Sequence, residues 1–294
     1  MSLLRSPAHD LPASLRPSAT ARALTKVVLV VVLLYFLFPL YWVIVSATKS
    51  NADLLSSNAL LLSGDPAGTT VANYHALIDW TQGLFWRWVA NSVFYSGVAG
   101  AVGVLISVAA GYALAKFTFP GRTATQLVVL GGLLLPIALL TIPLYLVFHQ
   151  LGLTNTVWAI IIPSCVSPFG VFLSRVYVES SVPDELLEAA RIDGAGELRI
   201  FFTIVLRLLA PAMVTIFLFI FVATWNNFLL PLMMVSSPEL KPVTLGLYGM
   251  MSYFNPQYGA VHQGTLLGVV PLVVLFLGLQ RFWQSGLSAG AVKG

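Results

Sequence analysis

Repeated apolar runs constrain this chain more than any other feature. Several are about 20 residues long, enough for a helix to cross a hydrocarbon layer of ~30 Å. Six segments qualify: Leu24–Ser46, Val89–Ala115, Thr125–Phe148, Val157–Ser174, Leu208–Val235 and Thr265–Phe282. With 58% hydrophobic and 9% charged residues, the composition agrees. In lipid, backbone N–H and C=O groups must bond one another, so such runs form helices. The expected fold is therefore all-α, a polytopic membrane protein with six transmembrane helices. No Asp, Glu, Lys or Arg lies in the interior of any of the six, Lys26 and Arg281 standing at span ends. Ion-coupled carriers usually keep such groups there, so their absence argues against self-powered secondary transport, backbone-coordinated sodium aside.

An even number of spans puts both termini on one side. If that side is cytoplasmic, twelve basic residues lie inside and three outside (Lys49, Arg87 and Lys241). The positive-inside rule then places both termini in the cytoplasm. The same rule accounts for the net charge of +4 without nucleic acid as a partner. Val45-Ser46-Ala47 loosely resembles a signal-peptidase site, yet the run Val27–Val45 spans 19 residues. That exceeds an ordinary cleavable segment, so it reads as a retained first helix. The expected layout is a cytoplasmic segment 1–23, a first helix 24–46, an extracytoplasmic loop 47–88, a five-helix core 89–283 and a cytoplasmic tail 284–294.

Within the spans, Ala99, Gly103, Ser107 and Gly111 recur every four residues. Such a small-residue face lets backbones approach closely, either within this bundle or against another subunit. Pro39, Pro136, Pro143, Pro163, Pro168, Pro231 and Pro271 lie in or near spans, where kinks need neighbours to satisfy freed carbonyls. Trp225, Asn226 and Asn227 could offer a stacking face and amide hydrogen bonds to a sugar. They could equally sit in the interfacial belt, where tryptophan is enriched. The single cysteine, Cys165, rules out an intrachain disulfide. No GxxxxGK[ST] or HExxH pattern occurs, so neither a phosphate cradle nor a zinc site is legible.

The polar chemistry is concentrated elsewhere. Glu179, Asp184, Glu185, Glu188, Asp193 and Glu197 place six of eleven acids within 19 residues, in the cytoplasmic loop between spans four and five. Ser181-Val182-Pro183-Asp184-Glu185 carries helix-start signals: a hydroxyl cap, a proline and acids facing the dipole. Leu186, Ala189, Ala190 and Asp193 then share one face. Gly194 and Gly196 end the helix and turn the chain. A second short helix, from about Glu197, is expected to run through Phe201, Phe202 and Ile204 into span five. This helix–turn–helix is either a solvated connector or a docking module.

These residues resemble a known family. Glu188-Ala189-Ala190, then Gly194, then Ile204-x-Leu206, is similar to the EAA loop of ABC-importer permeases. The wider text resembles the carbohydrate branch, in particular the second permease subunit of maltose-type transporters. It includes Asn91-Ser92, Gly111-Tyr112-Ala113, Leu135-Pro136, Ile142-Pro143-Leu144-Tyr145, Leu151-Gly152-Leu153-x-Asn155-Thr156, Ile192-Asp193-Gly194-Ala195 and Trp225-Asn226-x-Phe228-Leu229-x-Pro231-Leu232. The resemblance covers about residues 24–294. One departure is Arg207, which stands where the family usually has proline. Span five is thus expected to begin as a more continuous helix.

The resemblance implies a non-catalytic half-pore of a bacterial or archaeal cytoplasmic membrane. Its partners would be a second permease subunit, a dimer of ATP-binding subunits, an extracytoplasmic solute-binding protein, a sugar and the lipid bilayer. ATP and Mg would sit on the partner ATPases, with no cofactor on this chain. The EAA loop 179–207 would dock on an ATPase through Glu185, Glu188, Ala189, Ala190, Asp193 and Gly194. The tail Ala291, Val292, Lys293 and Gly294 would reach the same interface, and the 236–264 loop would meet the binding protein. The same machinery moving another solute, such as glycerol phosphate or an amino acid, and a stand-alone carrier are the alternatives.

Overall fold

Helices account for nearly all the regular structure in the computed structural model, which describes residues 18–251 and 256–290. Ser18 caps the first, α1 (Ala19–Ala47), by accepting a hydrogen bond from Ala21 N at 3.1 Å. Two outer helices follow, α2 (Asn51–Ser56) and α3 (Pro66–Trp80), and then the long α4 (Phe85–Lys116). Next come α5 (Arg122–Leu134) and α6 (Ile137–Gln150), then α7 (Trp158–Ser164) and α8 (Pro168–Ser181). The polar loop carries α9 (Asp184–Ile192) and α10 (Glu197–Ile200), a π-helical turn Phe201–Val205 and α11 (Leu206–Leu208). The chain then continues through α12 (Ala210–Trp225), α13 (Leu229–Met234), α14 (Val243–Tyr248) and α15 (Tyr258–Gly290).

Four helical stretches are long and apolar enough to cross a membrane: Ala19–Ala47, Phe85–Lys116, Trp158–Ser181 and Tyr258–Gln280. The count rises to six if two bent pairs each form one span. The α5–α6 pair bends by 109°, and Glu197–Leu208 meets α12 at 82°. The first bend has a local cause. Leu135 precedes Pro136 and is pushed out of helical space, to φ −77° and ψ 123°.

The packed centre of the bundle is α4 against α8 and α12. Its small face lies within this chain: Ala99, Gly103, Ser107 and Gly111 are all buried. Ser174 Oγ donates to Ser107 O at 2.6 Å, a buried bond between α8 and α4. Gly111 sits so close to α8 that a Cβ there would overlap the Ser174 hydroxyl and lie 2.7 Å from the Arg175 backbone nitrogen. Small residues thus serve the internal contact of this bundle. By contrast, α1 exposes its apolar side chains from Leu24 to Tyr41 and buries only Val45, Ser46 and Ala47.

Three local expectations need correction. Ser181 does not cap α9: it is the last residue of α8, and Pro183 occupies the cap position with no side-chain hydrogen bond. The polar loop's second helix does not pass smoothly into span five. Helical chain runs through Arg207 without a break, as the missing proline suggests, but ends at Leu209 in the 82° bend. Nor does span five reach Val235 as one helix, because Asn226–Phe228 interrupts it between α12 and α13.

Candidate functional site

The polar loop is built as a short amphipathic helix on a buried footing. Asp184 and Glu185 stand at the N-terminus of α9 and Arg191 at its C-terminus, each favourable to the helix dipole. Leu187 is buried at 1% exposure and joins the main core with Val182, Ile200, Phe201 and Val205. Ala190 is half-buried against the same cluster, whereas Glu185, Leu186, Glu188, Ala189 and Asp193 are exposed. The face of Leu186, Ala189, Ala190 and Asp193 is therefore divided. Ala190 leans inward beside Leu187, and the other three look out.

The helix ends in a Schellman turn. Gly194 N donates to Arg191 O and Ala195 N to Ala190 O, both at 3.0 Å. Gly194 takes φ +79°, a left-handed conformation that costs other residues a Cβ clash. Three polar contacts then tie the loop. Lys116 Nζ meets Asp184 Oδ1 at 2.6 Å, Arg191 Nε meets Glu197 Oε1 at 2.6 Å, and Tyr112 OH donates to Glu197 Oε2 at 3.3 Å. The Arg191 hydrogen bond is the main reason that the Glu197 carboxyl is held below the usual carboxylate range. The loop also exposes apolar side chains outside the predicted docking set: Leu186, Ile192 at 86% exposure, Leu198 at 76% and Phe202. A helical wheel of α9 with the buried Leu187 as its inner pole reaches Leu186 and Ile192 alone, since Leu198 and Phe202 belong to α10 and the π-helical turn. Arg207 is exposed, and its side chain takes part in no hydrogen bond or ion pair among the described residues.

The other predicted residues lie beyond the opposite end of α12. Trp225 is buried, stacked on Phe221 with ring centroids 5.9 Å apart. Asn226 is exposed, while Asn227 is half-buried and accepts from Leu230 N at 3.3 Å through Oδ1. Trp225 and Asn226 border an open cavity of about 390 Å³ between α12, α14 and α15; Asn227 does not line it. Phe228, Thr244, Tyr248, Met251 and Thr265 complete its most distinctive lining. Phe228 and Tyr248 meet edge to face at 4.8 Å. Sequence alone carried no signal for Tyr248, which reaches the cavity from another helix. Residues 291–294, the expected tail contact, lie outside the described residues. So do residues 252–255 of the outer loop. Among the described residues no group of His, Cys, Asp and Glu could hold a metal ion.

Fold and loop together define an all-α, multi-pass membrane protein whose charges are gathered outside its spans. The chain belongs to the family of binding-protein-dependent transport system inner membrane components, whose description matches residues 103–287. It is thus a membrane permease subunit of an ABC-type importer, in a family of non-catalytic transport subunits. The arabinooligosaccharides transport system permease protein AraQ of Halalkalibacterium halodurans is 36% identical over 87% of this chain and 91% of its own length. The lactose transport system permease protein LacG of Rhizobium radiobacter is 32% identical over 87% and 91%. In fold, the chain matches one from the crystal structure of a bacterial ABC transporter involved in the import of the acidic polysaccharide alginate. That match has a TM-score of 0.77 over 91% of this chain and 99% of the other, at 22% identity.

Proposed function

We propose that this chain is one of two permease halves of an ATP-driven carbohydrate importer of the cytoplasmic membrane. It spans the bilayer six times with both termini in the cytoplasm, each bent pair counting as one span. The observation that carries the coupling role is the polar loop, which exposes Leu186, Ile192, Leu198 and Phe202 together with Glu185 and Glu188 while Leu187 is buried in the main core. Monomeric surfaces seldom expose such a group without a partner. The partner here is one ATP-binding subunit, which holds ATP and Mg. Glu185, Glu188 and Asp193 supply charge to the interface, Ala189 and Ala190 close approach, and Gly194 the turn. A short rigid helix of this kind carries a rigid-body movement from the ATPase into the membrane helices. The tail Ala291–Gly294 extends that interface.

Carbohydrate is the favoured solute because the relatives' names specify arabinooligosaccharides and lactose. The cavity bordered by Trp225 and Asn226 suits the pathway, with Asn227 next to them in the chain but outside the lining. An extracytoplasmic solute-binding protein delivers the sugar to the 236–264 loop. Reconstitution decides the matter. Vesicles containing both permease chains, the ATPase dimer and the loaded binding protein should take up labelled oligosaccharide only with ATP inside the importer's cytoplasmic face. ATP-independent uptake by vesicles holding this chain alone would overturn the reading.

A further inference from the structure

One face near the outward end of α4 is spent on holding a single distant segment. Arg87, Trp88, Asn91, Ser92 and Tyr95 recur at helical spacing and so point the same way. Trp88 Nε1 donates to Pro238 O at 2.7 Å. Arg87 Nε and Asn91 Nδ2 donate to Glu239 O at 3.0 and 2.8 Å. Tyr95 OH donates to Leu240 O at 2.9 Å, and Asn91 Nδ2 to Lys241 O at 3.0 Å. Ser92 Oγ closes the series by accepting from Val243 N at 2.8 Å. From the other side comes Asn155, itself left-handed at φ +56°. Its Oδ1 accepts from Ser236 N at 3.1 Å and Ser237 N at 2.9 Å.

Surface loops usually leave such backbone groups to water. Here every carbonyl from Pro238 to Lys241 has a side-chain donor, while the Glu239 side chain is exposed and forms no ion pair among the described residues. A fixed backbone that presents exposed Ser236, Pro238 and Glu239 is a preorganised recognition surface, which avoids the ordering cost of binding. The opposite end of the same helix holds Tyr112 and Lys116, which grip Glu197 and Asp184 of the polar loop. Between Asn91 and Lys116 lie ~37 Å of unbroken helix at 1.5 Å per residue.

We infer that Arg87, Trp88, Asn91, Ser92, Tyr95 and Asn155 are positioning residues that hold segment 236–243 as the rigid seat of the extracytoplasmic binding protein, with α4 linking that seat to the ATPase-facing loop. The inference rests on the importer reading. Its test uses the complete importer in nanodiscs, titrated with the importer's own solute-loaded binding protein. Asn91→Ala/Tyr95→Phe removes three donated hydrogen bonds yet keeps the Tyr95 ring in the core. Ser92→Ala is the second variant. Amide exchange over 236–243 should rise in both, with basal ATPase unchanged. The binding-protein concentration for half-maximal ATPase stimulation should rise about threefold or more per lost bond, the worth of a typical net hydrogen bond. Faster exchange with an unshifted titration would overturn the inference, as would unchanged exchange. Parallel loss of basal and stimulated activity would reduce these residues to a folding role and overturn it too. If the wild-type complex shows no stimulation at all, the importer reading fails and the inference falls with it.

Discussion

Gly194 and Gly111 show how single positions in this chain answer to different demands. At Gly194 the demand is conformational, since φ +79° ends α9 and turns the chain back. Gly194→Ala is expected to cost about 1–2 kcal/mol by the left-handed penalty, read by thermal unfolding of the purified subunit. Gly194→Pro should also lower co-purification of the ATPase while membrane insertion persists. At Gly111 the demand is space, because the Ser174 hydroxyl and the Arg175 backbone nitrogen occupy the place of a Cβ. Gly111→Ala is therefore expected to destabilise by about 1–3 kcal/mol through overpacking. An unchanged melting temperature would contradict that packing. Glu197 supplies the pH-dependent contact. Its carboxyl is held low chiefly by the Arg191 hydrogen bond, so the contact is complete above the ordinary carboxylate pKa of about 4.3. It is lost as pH falls through the lowered value. Amide exchange over residues 194–197, corrected for intrinsic rates, should therefore show an acid-side loss of protection. Glu197→Gln should remove that pH dependence.

At the scale of elements, α9 was largely readable before its packing was known. The acids at its start, Arg191 at its end and Gly194 after it are local signals, and helix dipole and turn chemistry act over a few residues. The cap expected at Ser181 fails because Ser181 is the last residue of α8, which leaves Pro183 in the cap position. Which leucine faces inward was not readable, since Leu186 and Leu187 are adjacent and equally apolar. Only contact with Val182, Ile200 and Phe201 distinguishes them. Leu187→Ala is expected to cost about 2–4 kcal/mol through the cavity it leaves. Exchange in α9 should then rise while the centre of α4 stays protected. Equal exchange in both helices would mean that Leu187 does not anchor the loop. The bend at Leu135-Pro136 is implicit in the proline, though its 109° angle is visible only in the structure.

At the scale of the molecule, α4 joins two surfaces from separate stretches of the chain, one around Pro238 and one around Asp184. The Trp88–Pro238 and Tyr95–Leu240 bonds clasp one, and the Lys116–Asp184 pair holds the other. The exposed apolar surface of α1 from Leu24 to Tyr41 faces lipid or other subunits, so stability of the isolated chain should depend on what replaces them. Its unfolding temperature is expected to rise when the second permease subunit is co-expressed, because binding to the native form alone adds stability. By itself the sequence determined the material of this protein: apolar helices, charge kept out of the span interiors, a small-residue face and a glycine-ended polar helix. Those properties follow from composition and short-range periodicity. The tertiary structure alone decided that the small face serves α8 and α12, that Tyr248 shares a cavity with Trp225, and that five side chains of α4 grip a loop far along the chain. Each of those depends on which surfaces meet, and hydrogen bonds across 150 residues leave no local pattern to read.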